Sequence, residues 1–387
     1  MTPRTKSYLL HGGLFLLTLI TTTLSGAEWM FGRLFIPVEG MKTLGWAEFL
    51  AGLHFSLPFL GVLTVHEFGH YFVAKANRVR VTLPYYIPFW IGIGQSIGTL
   101  GAFIRIQDYI SSRRTYFDIG IAGPLAGFVV ALAVLTYGFT HLPPPEHIFT
   151  IHPEYQQYGF SYGEYAYRDL PEGGAIALGD NLLFWFFKTF VADPDRLPHP
   201  YEMIHYPYLL AGYLALFFTS LNLIPIGQLD GGHILYALIG RERFRWVAPA
   251  LFILFAFYAG LGMFKPAHFA VNDDAFWAQL LNLTFYVFFL YIACLRLSGP
   301  DSASPRMNAL LIALSIVAVQ FLFSWLQPEW EGYSGFLLFV FILGRFLGVY
   351  HPETDDEEPL SPGRKLLGWL ALLVFVLCFS PKPFIFS

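Results

Sequence analysis

The chain has 387 residues, 55% hydrophobic and 19% aromatic, with 13% charged and a formal net charge of -4. A soluble domain carries nearer a quarter charged residues, and 41 Phe with 22 Tyr exceed what a soluble core of this length can hide, so lipid is the expected solvent. No basic stripe or aromatic-basic module points to nucleic acid, and the two cysteines, Cys294 and Cys378, each in an apolar run, exclude a disulfide framework and a cysteine zinc cluster.

Apolar runs able to cross a hydrocarbon core of about 30 Å recur near 8–27, 47–75, 116–140, 207–238, 246–264, 276–297, 307–326, 333–350 and 366–380. They predict an all-α polytopic membrane protein of eight or nine spans, with a small β or re-entrant element. The chain divides into an N-terminal helix and loop over 1–46, a core over 47–240 and a C-terminal bundle over 241–387. The first run follows Arg4 and Lys6 and reads as an uncleaved span rather than a signal peptide, because no small-x-small cleavage site stands out. With the N-terminus cytoplasmic, Lys75, Arg78, Arg80, Arg105, Arg113, Arg114, Arg241, Arg243, Arg245, Arg296, Arg306, Arg364 and Lys365 all fall inside. The opposite loops carry Glu39, Glu48, Asp273, Asp274, Glu329 and Glu331. A bacterial cytoplasmic membrane, N-terminus inside, is the expected location.

The second run contains Leu63-Thr-Val-His-Glu-Phe-Gly-His-Tyr-Phe72. At about 3.6 residues per turn, His66 and His70 project from one helix face, where both imidazoles reach one zinc ion. Glu67, one residue on, stands beside the metal without being needed as a ligand; it is placed to take the proton from a water on the metal and return it to a leaving amine. Ionisable residues at such depth are functional by default; the bland alternative is a hydrogen-bonded polar cluster. His54 lies three turns back, nearer the interface.

Residues 76–115 follow. Val79 to Pro88 is apolar but holds Pro84 and Pro88, so it is not helix interior. Ile91 to Ile106, rich in Gly and β-branched residues, reads as a hairpin or re-entrant loop, which at membrane depth must be buried in protein or line a wet cavity. The bland alternative is a surface loop. In the next run, Gly123-x-x-x-Gly127 suits close helix packing, and Asp118 is expected to cap or anchor the start. Residues 141–206 form a long loop with Pro143, Pro144, Pro145, many Tyr, and His141, His147, His152, His199 and His205; their irregular spacing favours a solvated loop over a second metal site. Asn181 to Val191 is apolar, too short to span, and fits an interfacial helix. Asp355-Asp-Glu-Glu358 is expected to be a solvated linker.

A catalytic zinc takes three protein ligands and one open position, so another carboxylate or His should lie in a distant span. Asp118 and Asp230 are the candidates. Asp230 sits in Ser220-Leu-Asn-Leu-Ile-Pro-Ile-Gly-Gln-Leu-Asp-Gly-Gly-His233, where Pro225, Gly227, Gly231 and Gly232 break an apolar run. A broken helix makes a wet, polar pocket at depth. The alternative is that Asp230 merely caps a helix starting at Gly231. His233 is expected to be pocket wall or a helix-start polar contact.

His66-Glu67-x-x-His70 in one span and Asn222-x-x-Pro225-x-x-x-x-Asp230-Gly231 in a later one resemble the site-2 protease family of intramembrane metalloproteases. Gly98-Thr-Leu-Gly101 and Asp118-Ile-Gly-Ile-Ala-Gly-Pro124 also look like that family's, and the likeness covers roughly 47–240. The resemblance implies a three-span catalytic core over 47–75, 116–140 and 207–238. It implies one Zn2+ held by His66, His70 and Asp230, and Glu67 as catalytic acid/base. Asn222 matches a position that contacts the substrate backbone or holds it unwound; Pro225 and Gly231 match positions that shape the break. Gly98, Thr99 and Gly101 would bind substrate, and Gly123 and Pro124 would be structural. The implied partners are the lipid bilayer and membrane-embedded protein substrates, such as tethered transcription factors and anti-sigma factors, often cut first by another protease. The flanks depart from the better-known branches: there is no PDZ-sized insertion between the second and third core spans, and about five further apolar runs follow the core, as in a branch seen in bacteria and plastids. A transporter or channel using buried His and Asp, and an inactive membrane-binding relative, are the rival classes; the first does not explain why Glu follows His66 directly.

Overall fold

The computed structural model describes residues 3–40, 42–92, 96–168, 171, 173–269, 275–298 and 303–386. The acidic-loop residues Asp273 and Asp274, and residues 93–95 of the expected hairpin, lie outside them. In chain order the elements are α1 (Pro3–Phe31), α2 (Trp46–Ala51), α3 (Leu53–Ala76), β1 (Tyr85–Phe89), β2 (Gly98–Phe103), α4 (Arg113–Thr140), α5 (Ile148–Ile151), β3 (Ile176–Leu178), α6 (Leu182–Phe190), α7 (Pro207–Asn222), α8 (Asp230–Ile239), α9 (Arg241–Gly260), α10 (Phe276–Cys294), α11 (Pro305–Leu326), α12 (Phe336–Phe341), α13 (Pro362–Cys378) and β4 (Phe384–Phe386).

Among the described residues five helical stretches are long and apolar enough to cross a membrane: Thr5–Phe31, Trp46–Ala76, Arg113–Thr140, Phe276–Cys294 and Pro305–Leu326. The protein is a multi-pass membrane protein. The other expected spans form shorter or more polar helices. The run at 207–238 is split into α7 and α8, α9 opens on Arg241, Glu242, Arg243 and Arg245, and α12 runs into a widened π-helical turn over Ile342–Leu347.

The contacts divide the chain into two compact units. The first gathers Met1–Ile110, Ile121–Asn222 and Leu373–Ser387. Its centre is α1 against α3, and small residues let them meet: a Cβ on Gly52 would lie 2.2 Å from the Thr23 carbonyl, and one on Gly26 2.7 Å from Phe55. Between them Thr22 Oγ1 and Ser56 Oγ share a hydrogen bond of 2.5 Å. The expected hairpin is present, but its first strand comes earlier than the Gly-rich stretch: β1 pairs antiparallel with β2, Tyr85 opposite Phe103 and Phe89 opposite Gly98. Pro88 lies in β1 beside an irregularity in the register, a place where a strand tolerates a missing N–H. The expected apolar helix at 181–191 is α6, opened by Asn181, whose side chain accepts from the Phe184 amide at 2.9 Å.

The second unit gathers Ser111–Gly120 and Leu223–Leu372. Here α9, α10 and α11 pack round one buried amide: Gln320 donates to the Phe257 carbonyl at 2.8 Å and accepts from the Tyr286 hydroxyl at 3.2 Å. The acidic run is not a free linker. Asp356 accepts from Ser112 at 3.0 Å, Glu357 bonds the Tyr236 hydroxyl, and Glu358 pairs with Arg114 at 2.5 Å. No local pattern announces these partners, since Tyr236 lies 121 residues from Glu357 and Ser112 lies 244 from Asp356.

Candidate metal centre

α3 carries His66 and His70 one turn apart on its buried face, with their Nε2 atoms 3.0 Å apart. Two such nitrogens, each about 2.05 Å from a shared ion, subtend about 95°, so one zinc fits between them. Glu67 is buried beside them, with Oε1 4.0 Å from His66 Nε2. Next to a ligand but rotated about 100° round the helix, its carboxylate flanks the metal position.

The residues of α4 within the first unit form the other wall. A Cβ on Gly123 would stand 2.2 Å from His70 Nε2, and one on Gly127 3.1 Å from His66 Cβ. From the other side, a Cβ on Gly69 would stand 2.7 Å from the Ala122 carbonyl. The glycine pair expected to serve packing therefore does so against the two imidazoles themselves. Pro124 lies inside α4 beside Gly123, where its missing N–H leaves the helix one internal bond short at this approach. Asn222, the last residue of α7, brings Nδ2 to 3.4 Å from His66 Nε2. Farther along the same pair of helices, His54 bonds the Tyr208 hydroxyl at 2.9 Å and plays no part in the centre.

The hairpin is tied to the histidine helix by a hydrogen bond of 2.8 Å between Tyr86 on β1 and Thr64, two residues before His66. Gly98, Thr99 and Gly101 make internal commitments. Gly98 has φ +86, and its carbonyl accepts from Thr21 at 2.7 Å. The buried Thr99 hydroxyl donates to the Ile87 carbonyl at 2.7 Å and accepts from the Gly101 amide at 3.0 Å. What β2 turns outward is Leu100, 60% exposed, and Phe103, 48% exposed.

In the second unit, Asp230 is the first residue of α8, with Leu229 as its extended N-cap; a carboxylate there is favoured by the helix dipole. Asp230 is thus one position inside the helix and is not its cap. Residues 223–229 are non-helical. The Ile226 amide bonds the Ile224 carbonyl across Pro225 at 2.8 Å, a three-residue turn. A Cβ on Gly231 would lie 2.0 Å from the Leu223 carbonyl, and one on Gly232 2.3 Å from that of Gly227, so the turn folds back onto the first turn of α8. The other carboxylate candidate, Asp118, lies in the second turn of α4 and does not cap it; both its oxygens accept from Arg364, at 2.8 Å each. His233 stacks on Tyr116 and bonds His351 Nε2 at 2.8 Å. Since His351 Nδ1 bonds the Pro352 carbonyl, which can only accept, His233 is the donor in that pair. Burial pushes His351 down to about 3, so it is neutral. Arg364, His351, Tyr86 and Gly69 carried no local sequence signal; each matters through a partner distant in the chain.

The model of peptidase family M50 matches residues 54–261. Among curated proteins, the chain is 26% identical over 270 residues to "Probable zinc metalloprotease EGY2, chloroplastic" of Oryza sativa subsp. indica, covering 69% of this chain and 41% of that protein. It is 26% identical over 192 residues to "Probable zinc metalloprotease EGY1, chloroplastic" of Arabidopsis thaliana, covering 50% and 30%. To "Probable zinc metallopeptidase EGY3, chloroplastic" of the same plant it is 25% identical over 193 residues, covering 48% and 29%. The chain thus spans between about 30% and 41% of the length of these relatives. Their names put those proteins in chloroplasts, so the expected bacterial membrane draws no support from them. No solved structure matches.

Proposed function

The chain belongs to peptidase family M50, and from that premise we propose that it is an intramembrane zinc metalloprotease, cutting peptide bonds within or near the transmembrane segments of other membrane proteins. The reading is carried by the buried His66–His70 pair at 3.0 Å with Glu67 at its side. Asp230 supplies the third zinc ligand; its support is the broken run that places a carboxylate at a helix start, and the family motif around it. When bound, zinc polarises the scissile carbonyl and brings the pKa of a water toward about 7. Glu67 accepts the proton of the attacking water and delivers it to the departing amine nitrogen, so the C–N bond breaks without releasing a free amide anion. Its burial keeps the carboxylate from being screened by bulk water.

A helical substrate hides its carbonyls in i→i−4 bonds and must be extended before attack. The outer edge of β2 is suited to hold it by strand addition, with the exposed Leu100 and Phe103 offering apolar contacts on either face of the strand. The Asn222 amide, beside His66, is placed to hold the substrate backbone unwound. Substrates are single-span proteins, shortened beforehand by another protease where their extramembrane part would block entry. The Lys/Arg distribution supports a cytoplasmic N-terminus.

The test is the detergent-purified protein and Glu67→Gln, compared for bound zinc and for cleavage of a panel of single-span substrates. About one zinc in this centre for both proteins is expected, with cleavage lowered at least about 100-fold in the variant. A transport activity that survives Glu67→Gln, with no cleavage by either protein, would favour the transporter class instead.

A further inference from the structure

The loop between α4 and α7 holds a second cluster with metal-binding chemistry, wholly inside the first unit. His152 follows α5; Glu202 and His205 lie in the 3₁₀ segment Pro200–His205 that leads into α7. Their three donor atoms converge: His152 Nε2 to His205 Nε2 3.4 Å, His205 Nε2 to Glu202 Oε2 3.4 Å, and His152 Nε2 to Glu202 Oε2 3.7 Å. Glu202 is 2% exposed and His205 6%.

Each outward atom of each residue is already committed, and this fixes what the inward atoms present. His205 Nδ1 bonds the Trp29 carbonyl at 2.6 Å. A carbonyl only accepts, so that nitrogen carries the proton and Nε2 offers its lone pair. His152 Nδ1 bonds the Glu154 carboxylate at 2.9 Å, with the same consequence. Glu202 Oε1 accepts from the Tyr167 hydroxyl, while Oε2, fully buried, has no hydrogen-bond partner among the described residues. With both imidazoles neutral, three acceptor atoms therefore face one another, and the hydroxyls that approach the carboxylate are those of Tyr167 and Tyr155. An unpaired buried carboxylate oxygen is costly, and a cation at the centre removes the cost for all three.

The distances suit a zinc-class ion. With metal–ligand bonds of about 2.05–2.1 Å, the three separations correspond to angles of about 110°, 110° and 125°, near tetrahedral. A carbonyl and a carboxylate behind the two imidazoles are the partners that metal-bound histidines characteristically keep. We propose that His152, Glu202 and His205 bind a second zinc-class divalent cation, which ties the 141–206 loop to the end of α1 through Trp29. The side chain of His152 is 24% exposed, so the fourth position opens toward the loop surface and the ion is exchangeable.

The experiment uses the full chain in detergent and counts zinc by mass spectrometry after desalting from zinc-containing buffer. The H66A/H70A variant, emptied at the first centre, should keep about one zinc per chain, and adding His152→Ala should remove it. His152 is the partly exposed member, so its loss leaves the packing intact; circular dichroism checks this. With cobalt in place of zinc, H66A/H70A should show the visible absorption of a tetrahedral site. No metal in H66A/H70A, or metal that survives both His152→Ala and Glu202→Gln, would overturn the proposal and leave the cluster as a hydrogen-bonded group sharing a proton.

Discussion

Replacing Gly123 by Ala puts a methyl group where an imidazole already stands. The added Cβ would lie 2.2 Å from His70 Nε2 and 2.5 Å from both Cδ2 and Cε1, whereas carbon contacts are comfortable at about 3.5–4.0 Å. Something must give by about 1 Å or more: the His70 ring swings off its position, or α4 moves away from α3. Overpacking of this kind costs about 1–3 kcal/mol, and a shift of about 1 Å at a catalytic group costs about 100-fold in rate. We expect zinc affinity to fall about 10–100-fold and cleavage about 100-fold or more. Gly127→Ala supplies the graded comparison. Its Cβ would be 3.1 Å from His66 Cβ, a shortfall of a few tenths of an ångström, so activity should stay within about fivefold of wild type. Gly61→Ala, with nothing within 4 Å, should gain about 0.5–1 kcal/mol of helix stability and leave activity alone. The assay pairs zinc content with cleavage of one single-span reporter across the three variants. Wild-type zinc and cleavage in Gly123→Ala, or a worse defect in Gly127→Ala, would refute the view that α4 sets the position of the histidines.

Three further outcomes follow from the geometry. Leu100→Glu, on the outward side of β2, should lower cleavage about tenfold without changing zinc content, if substrate adds to that edge; unchanged kinetics would remove the hairpin from substrate binding. Gly227→Ala should destabilise the second unit by about 3 kcal/mol or more, since φ is +61 and a Cβ would stand 2.0 Å from the Gly348 carbonyl; thermal unfolding measures it. His351, held down to about 3 against an ordinary 6.5, is a group whose neutral form the fold buries. Its folded pKa is depressed, so the unfolded chain binds the extra proton first, and stability is present above about 6.5 and is lost as pH falls toward about 3, by up to about 1.4 kcal/mol per pH unit. His351→Gln should remove that part of the slope from the unfolding curves.

Much of the centre was legible because its signals are local. H-E-x-x-H needs one helix turn to become a ligand pair, and Pro225 with the glycines around it announces a break wherever the chain runs. The hairpin was legible only as the stretch Ile91 to Ile106, rich in Gly and β-branched residues, in which β2 lies; its partner β1 was not, since Tyr85–Phe89 carries two polar-capable Tyr and a Pro and lacks a clean alternation. The glycines of α4 were read as packing residues, and what they stand against, His66 and His70, belongs to a helix more than fifty residues earlier. His152, Glu202 and His205 illustrate the limit: 50 residues separate the first two, no spacing rule links them, and the fold alone makes them neighbours.

The sheet formed by β3 and β4 has a consequence for the order of events during synthesis. β3 lies in the middle of the chain and β4 near its end, yet Ile176 to Leu178 pair with Phe386 to Phe384, and the Tyr213 hydroxyl bonds the Pro383 carbonyl at 2.7 Å. β3 therefore waits for a strand made roughly 200 residues later, about 10–40 s at ordinary elongation rates. During that interval Ile176 to Leu178 have no partner strand and the Tyr213 hydroxyl lacks its acceptor, so this part of the first unit is left with unsatisfied backbone groups that only a distant piece of chain can complete.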